Sequence, residues 1–139
     1  MTQDEWESAV PLLIRQDPLW KMEVYRLGLF MADLAWEDGA KLLKDRRTIS
    51  FADQLCRATG NISSNVAEGY SRNTGKDRAR FYEYALGSAR ESRDWIYKSR
   101  HVLGEMVSEH RMDLTTQIIR LLIRMISNER KTNRRIADS

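Results

Sequence analysis

Several residue types that mark particular classes of protein are scarce in this sequence. The chain of 139 residues has one cysteine, Cys56, and two prolines, Pro11 and Pro18. A single cysteine excludes a disulfide framework within the chain and favours a reducing compartment. No apolar run approaches the roughly 18 residues that suggest a membrane-spanning helix. No basic, apolar and small-residue pattern typical of a signal peptide begins the chain. We therefore expect a soluble, cytoplasmic protein.

The lack of proline after Pro18 leaves long helices unobstructed, and no persistent β-alternation or repeat is evident. Asp17 before Pro18 is typical of a helix start. Apolar residues at helical spacing predict helices over residues 18–43, 50–68, 75–103 and 112 into the last residues. Short connections favour antiparallel neighbours. We predict an all-α, antiparallel up-and-down four-helix bundle over residues 17–139, preceded by a short N-terminal arm over residues 1–16.

The predicted helices carry more apolar surface than one contact seam needs. Phe30 interrupts the polar stripe of the first helix, and the apolar arc of that helix extends to Trp36 and Leu43. The third helix carries Tyr82, Leu86 and Tyr97 on the side opposite its predicted inner face. That inner face contains Phe81, Tyr84, Ala85, Ser88, Ala89, Ser92, Trp95, Ile96 and Ser99. Since monomers avoid large exposed apolar patches, this excess predicts association of the chain with copies of itself.

Glycine and threonine mark the connection between the second and third helices. Gly69 is predicted to end the second helix as a left-handed cap. Thr74, with Asp77 three residues later, is typical of a helix N-terminus. Asn65 and Glu68, one turn apart, favour a buried or interfacial hydrogen-bond pair over a catalytic acid.

Charge is distributed unevenly along the chain. Residues 1–70 contain 8 Lys and Arg against 11 Asp and Glu, whereas residues 71–139 contain 15 against 9. The basic second half suits a polyanionic partner. Arginine is also a good helix former, which explains the same composition without a partner.

Two basic stripes account for much of this positive charge. The stripe on the fourth helix contains Arg120, Arg124, Lys131, Arg134 and Arg135. The stripe on the third helix contains Tyr82, Leu86, Arg90, Arg93, Tyr97 and Arg100, on the side away from the predicted core. Arginine binds phosphate in a bidentate fork, so the fourth helix is a candidate nucleic-acid-binding surface, with a solvated face as the alternative. Aromatic and arginine residues also mark interfaces, so we assign Tyr82, Leu86, Arg90, Arg93 and Tyr97, with Phe30, to an oligomer interface, with stacking on bases as the alternative.

No motif predicts catalysis, a metal site or a cofactor. The segment from Gly69 to Lys76 differs from a phosphate-binding loop in its spacing, and Asp77 stands where that loop needs Ser or Thr. His101 and His110 flank a turn without the Glu-x-x-His pairs of di-iron proteins. We expect no enzyme activity and no cofactor.

Several short segments of the sequence together are characteristic of one protein family. They comprise residues 51–58 (FADQLCRA), residues 62–70 (ISSNVAEGY), Lys76-Asp77, residues 80–82 (RFY) and residues 85–91 (ALGSARE). This combination resembles the bacterial "four helix bundle protein" family, also called 23S rRNA intervening-sequence proteins, to which the retroelement accessory variability proteins are related. The similarity covers roughly residues 17–125.

The resemblance implies a homopentameric ring of four-helix bundles with no established catalytic activity. For the retroelement relatives it implies a basic ring that binds nucleic acid and a reverse transcriptase. We therefore hypothesise a non-enzymatic, ring-forming protein that binds nucleic acid, in particular structured RNA, through a basic face. The alternative is a protein–protein scaffold that docks another polypeptide, such as a reverse transcriptase or the product of a neighbouring gene.

Overall fold

The structure, a computed structural model, describes the backbone of residues 1–138 and the side chains of residues 1–131. The prediction of an all-α protein is confirmed, since these residues contain helices and no strand. The helices are α1 (Gln3–Ala9), α2 (Leu12–Arg15), a 3₁₀ helix (Pro18–Lys21), α3 (Glu23–Leu42), α4 (Ile49–Tyr70), α5 (Gly75–Lys98), α6 (Arg100–Leu103) and α7 (Glu105–Asp138). None of the described helices is both long and apolar enough to cross a membrane.

The four long helices α3, α4, α5 and α7 surround one hydrophobic core. α4 packs against both α3 and α5, α5 packs against α7, and α7 returns to contact α3. Leu55 and Ile62 of α4 and Ile118 and Leu122 of α7 are fully buried. The apolar periodicity of the second and fourth predicted helices therefore identified core residues correctly.

Three predicted helix boundaries are wrong. Asp17 does cap a helix, accepting a hydrogen bond from the Leu19 amide at 2.9 Å, but that helix is a single 3₁₀ segment, and α3 begins only at Glu23. The third predicted helix is divided between α5 and α6 at Ser99. α7 begins at Glu105 instead of residue 112, because Gly104 (φ +86°) makes the whole turn in one residue.

Gly69 is a point of close approach between α4 and α5 instead of a left-handed cap. It lies inside α4 without a positive φ, and α4 continues to Tyr70. A Cβ atom at this position would lie 2.7 Å from Cε1 of Tyr82. Thr74 does cap α5 as predicted, because its hydroxyl accepts a hydrogen bond from the Asp77 amide at 3.2 Å.

Replacing Gly69 with alanine is expected to lower the free energy of unfolding by about 1–3 kcal/mol, because the Tyr82 ring has to move from a well-packed position. Urea unfolding followed by circular dichroism measures the change. The matched control is Gly87→Ala in α5, where an added Cβ meets nothing within 4 Å. That substitution should stabilise the protein, since alanine favours helix over glycine by up to about 1 kcal/mol. Equal effects of the two substitutions would contradict the close approach at Gly69.

The N-terminal segment packs along α3 and covers Phe30. Trp6 of α1 is 7% exposed, and its ring centroid lies 5.3 Å from that of Phe30. The indole Nε1–H of Trp6 donates to the Asp33 carboxylate at 2.6 Å. Phe30 is consequently 2% exposed, so its assignment to an oligomer interface is wrong. Its place in the polar stripe of α3 is explained by the apolar side chain that α1 brings over it.

Most of the buried face of α5 is as predicted, since Ala85, Ala89, Ser92 and Ile96 are fully buried, but two tyrosines near its start are exchanged. Tyr82, predicted on the outside, is 3% exposed, and burial raises its pKa to about 12. Leu86 is half-buried and packs against the core, whereas Tyr84, predicted inside, is 52% exposed. Tyr82 is therefore a core residue of its own chain, and its assignment to an oligomer interface is wrong. The assignment of the half-buried Leu86 to that interface stays a prediction. Phe81, Tyr82 and Tyr84 follow one another so closely that periodicity alone did not determine which of them faces inward.

Candidate nucleic-acid interface

The two basic stripes lie on neighbouring helices. Nη1 of Arg93 in α5 donates to Oγ1 of Thr116 in α7 at 3.1 Å. Near the other end of the pair, Nε of Arg78 lies 3.0 Å from a carboxylate oxygen of Glu129. An early residue of α5 thus meets a late residue of α7, so the two helices run antiparallel.

The α7 stripe is a row of solvated cations. We use this name for Arg120, Arg124 and Lys131, which are all exposed. None of the three forms an ion pair with another described side chain. Arg134 and Arg135, also predicted to belong to this stripe, lie outside the described side chains. Exposed cations without acidic partners are free to contact an anionic ligand.

Arg90, Arg93, Tyr97 and Arg100, which belong to the predicted basic stripe of the third helix, differ in their surroundings. Arg90 is exposed, whereas Arg93 is half-buried against α7. Tyr97 is 52% exposed, and the Arg100 guanidinium lies 4.0 Å from its ring centroid. Arg100 also donates to the Tyr97 carbonyl at 3.0 Å. Arg90, Arg93 and Tyr97 thus keep the accessibility that an interface with a partner requires, and we call these three residues the α5 stripe.

The predicted pairing of Asn65 with Glu68 is absent. Nδ2 of Asn65 donates to the Asn61 carbonyl at 2.8 Å within α4. Glu68 is exposed and pairs at 3.0 Å with Arg72, one turn later. Because each side chain finds a partner on its own helix or on the connection that follows, neither forms the buried or interfacial pair that we predicted.

An apolar groove lies between α3 and α4 on the outer surface. We call it the α3–α4 groove, and it is lined by Trp36, Gly39, Ala40, Leu43, Ala52, Asp53 and Cys56. Trp36 is 79% exposed and Leu43 58% exposed. The broad apolar arc of the first predicted helix was the sequence feature that indicated this surface. Partial desolvation in the groove, together with the charges of Asp53 and Asp38, raises the pKa of the Cys56 thiol, so little reactive thiolate forms there near neutral pH.

Sequence reasoning missed two polar arrangements. Asp38 is fully buried and accepts from Nε and Nη2 of Arg111 at 2.8 and 3.0 Å, across 73 positions of sequence. At the connection between α4 and α5, the guanidinium carbons of Arg72 and Arg80 lie 4.6 and 5.2 Å from the centroid of Phe81. Within the described residues, no group of three metal-binding side chains comes together.

Comparison with known proteins identifies the family of this chain. The family model described as "23S rRNA-intervening sequence protein" matches residues 21–128 of this chain. A crystal structure of a protein of unknown function from the S23 ribosomal protein family of Bacteroides thetaiotaomicron is similar, with a TM-score of 0.69 and 21% sequence identity. The similarity covers 74% of this chain and 97% of that one. No curated protein matches. Because the family model spans most of the sequence, this chain belongs to the 23S rRNA-intervening sequence protein family.

Proposed function

We propose that this protein is a non-enzymatic subunit of a homo-oligomeric ring, built from antiparallel four-helix bundles, that binds structured RNA through the α7 stripe. The observation that carries the proposal is the row of exposed cations at Arg120, Arg124 and Lys131, none of which has an acidic partner among the described side chains. Arginine and lysine that neutralise phosphates release counterions, which favours binding at low salt. The family name, which refers to ribosomal RNA, agrees with an RNA partner.

Changing Arg120, Arg124 and Lys131 together to glutamine is expected to weaken RNA binding and to lower its dependence on salt. Loss of three phosphate contacts should reduce the slope of log K against log salt concentration by about 2–3 units, since each contact contributes about 0.7–0.9. Fluorescence anisotropy with labelled RNA at several salt concentrations measures both quantities.

The matched control for this triple variant changes three exposed basic residues that already have acidic partners, Arg47, Arg57 and Lys98, to glutamine. The control should alter RNA affinity and its salt dependence much less. Unchanged affinity and slope in the triple variant would remove the α7 stripe from the proposal. No RNA binding at low salt by the unmodified protein would remove the nucleic-acid function itself.

The proposed ring associates through two different surfaces of each subunit. The α3–α4 groove with Trp36 and Leu43 is an exposed apolar surface of the kind that monomers avoid. The α5 stripe, with Arg90, Arg93 and Tyr97, remains accessible on another side. Contact between unlike surfaces is head-to-tail, and such contacts close into a ring when the rotation between subunits permits. The resemblance implies five subunits.

Light scattering after size exclusion is expected to give a mass near five times 16.3 kDa. Trp36→Glu should lower this mass while helicity is kept, because a charge in an apolar contact loses its hydration without gaining a partner. Trp36→Phe, which keeps an apolar ring, should retain the assembly. Tyr97→Glu should also lower the mass. A single species of 16.3 kDa for the unmodified protein at micromolar concentration would defeat the ring.

Mixing the Trp36→Glu and Tyr97→Glu variants tests whether the contact is head-to-tail. Each variant keeps one intact surface, and the two intact surfaces are complementary, so the mixture should form a dimer and no ring. An unmodified protein that is itself a dimer would indicate contact between like surfaces and would contradict the count of five.

A protein–protein scaffold is the second candidate function, favoured by the same α3–α4 groove. In this case the groove holds another polypeptide instead of a second copy of the chain. Binding that persists at high salt and is lost in Trp36→Glu, together with no RNA binding at low salt, would favour the scaffold.

A further inference from the structure

The connection between α4 and α5 carries a group of stacked cationic and aromatic side chains, which we call the cation–aromatic cluster: Arg72, Arg80, Phe81 and Tyr84. The guanidinium groups of Arg72 and Arg80 both lie over the Phe81 ring, at 4.6 and 5.2 Å from its centroid. The Tyr84 ring contacts the same Phe81 ring edge-on, with centroids 5.6 Å apart. Two cations and two aromatic rings are therefore held together at one end of the molecule.

Packing of the connection explains only part of this cluster. Arg72 stacked on the half-buried Phe81 ties the end of α4 to the start of α5. Tyr84, however, leaves 52% of its surface exposed. Arg80 is exposed and forms no ion pair with any described side chain. An open tyrosine ring and an arginine without an acidic partner remain available to a ligand.

The spacing of the exposed residues suits a polymer with alternating rings and charges. Lys76, Arg80 and Tyr84 follow one another at intervals of four residues, a rise of about 6 Å, along the exposed side of α5. Arg72 pairs with Glu68, but both side chains are about half exposed, and such surface pairs contribute little, so a phosphate can replace the carboxylate. Bases without a pairing partner stack on aromatic rings, while arginine and lysine bind the phosphates between them.

The cluster lies at the same end of the molecule as the last part of the α7 stripe. The ion pair of Arg78 with Glu129 and that of Glu83 with Arg130 hold the start of α5 beside the part of α7 that precedes Lys131. A bound strand that contacts the α7 stripe is therefore near the cluster. Along a duplex the base faces are stacked inside and this region meets the sugar–phosphate backbone, whereas an unpaired strand also offers base faces to Tyr84.

We propose that the cation–aromatic cluster binds an unpaired segment of the nucleic acid, with one base stacked on Tyr84 and the adjoining phosphates held by Arg80, Lys76 and Arg72. This inference rests on the proposed nucleic-acid function and specifies that the bound segment is single-stranded. The α7 stripe attracts any polyanion, and the cluster selects single-stranded regions, such as a loop or an end of a folded RNA.

The test compares a labelled oligouridine of about 12 nucleotides, a length within the range bound by single-strand modules, with an RNA duplex of the same length. Fluorescence anisotropy at low salt measures both affinities for the unmodified full-length chain, for Tyr84→Leu and for Tyr84→Phe. Tyr84→Leu keeps an apolar side chain but removes the stacking surface, whereas Tyr84→Phe keeps the ring. Because Tyr84 is exposed, both variants should retain the fold, which circular dichroism checks.

We expect Tyr84→Leu to weaken oligouridine binding at least about fivefold, the lower end of what one base–aromatic stack contributes. Duplex affinity should stay within about twofold, which is below the contribution of a stack, and Tyr84→Phe should bind both ligands like the unmodified protein. Equal loss on oligouridine and duplex, or no loss on either, would overturn the role of the cluster while leaving the α7 stripe in place. If the unmodified protein binds neither ligand, the proposed function fails and this inference fails with it.

Discussion

Replacing Asp38 with alanine is expected to lower the free energy of unfolding by about 3–5 kcal/mol, the range for removing one partner of a buried ion pair. Asp38 is fully buried, and the side chain of Arg111 is 11% exposed, so neither charge regains much water when the other is lost. The bidentate hydrogen bonds at 2.8 and 3.0 Å satisfy both groups in the folded protein. Denaturant unfolding of Asp38→Ala measures the loss directly.

Two further variants test whether the expected loss of stability comes from the burial of the Asp38–Arg111 pair or from the loss of any ion pair. Asp53 pairs with Arg57 at 3.0 Å, but both side chains are largely exposed, so Asp53→Ala should cost no more than about 1 kcal/mol. The double variant Asp38→Leu with Arg111→Met replaces both charges with apolar groups and should recover much of the stability that Asp38→Ala loses. A cost for Asp38→Ala no larger than that for Asp53→Ala would contradict the buried pair.

Truncating the core of α4 is the second substitution series with a large expected effect. Leu55 and Ile62 are both fully buried between α3 and α5. Leu55→Ala or Ile62→Ala should each lower the free energy of unfolding by about 2–5 kcal/mol, because the transfer energy of the lost methyl groups adds to the cost of the cavity. Thermal or urea unfolding of each variant gives the measurement.

The control for this series is Ile49→Ala at the start of the same helix. Ile49 is 48% exposed, so its truncation leaves no cavity and should cost much less than the two core truncations. A loss of less than about half a kcal/mol at both Leu55 and Ile62, which is typical of surface positions, would mean that α4 faces the other way.

The parts of the fold that depend on local rules were predictable from the sequence. Apolar spacing identified the core of α4, and Thr74 caps α5 as its hydroxyl and the later Asp77 indicated. Contacts between distant segments were not predictable. Trp6 covers Phe30, and Asp38 pairs with Arg111, through side chains that are far apart in sequence. Such pairs are determined by three-dimensional packing, which leaves no periodic trace in one sequence.

The candidate site likewise has a part that was predictable from the sequence and a part that was not. The α7 stripe is exposed as predicted, because its residues alternate clearly with the apolar positions of α7. Phe30 and Tyr82, predicted to lie in the oligomer interface, are buried in the core of their own chain. A single sequence does not distinguish apolar residues that face a neighbouring subunit from those that face another helix. The cation–aromatic cluster was not predictable from helical periodicity, because Arg72 lies nine residues before the Phe81 ring on which it stacks.

The order in which the long helices pack has a consequence for how the chain folds. Most neighbours are successive in sequence, and topologies with such local contacts fold within microseconds to milliseconds. During synthesis α3, α4 and α5 emerge first and can pack in turn, while the carboxylate of Asp38 stays hydrated because Arg111 has not yet left the ribosome. Arrival of α7 supplies that guanidinium, so Asp38 gains its partner only after the helices that precede α7 have left the ribosome.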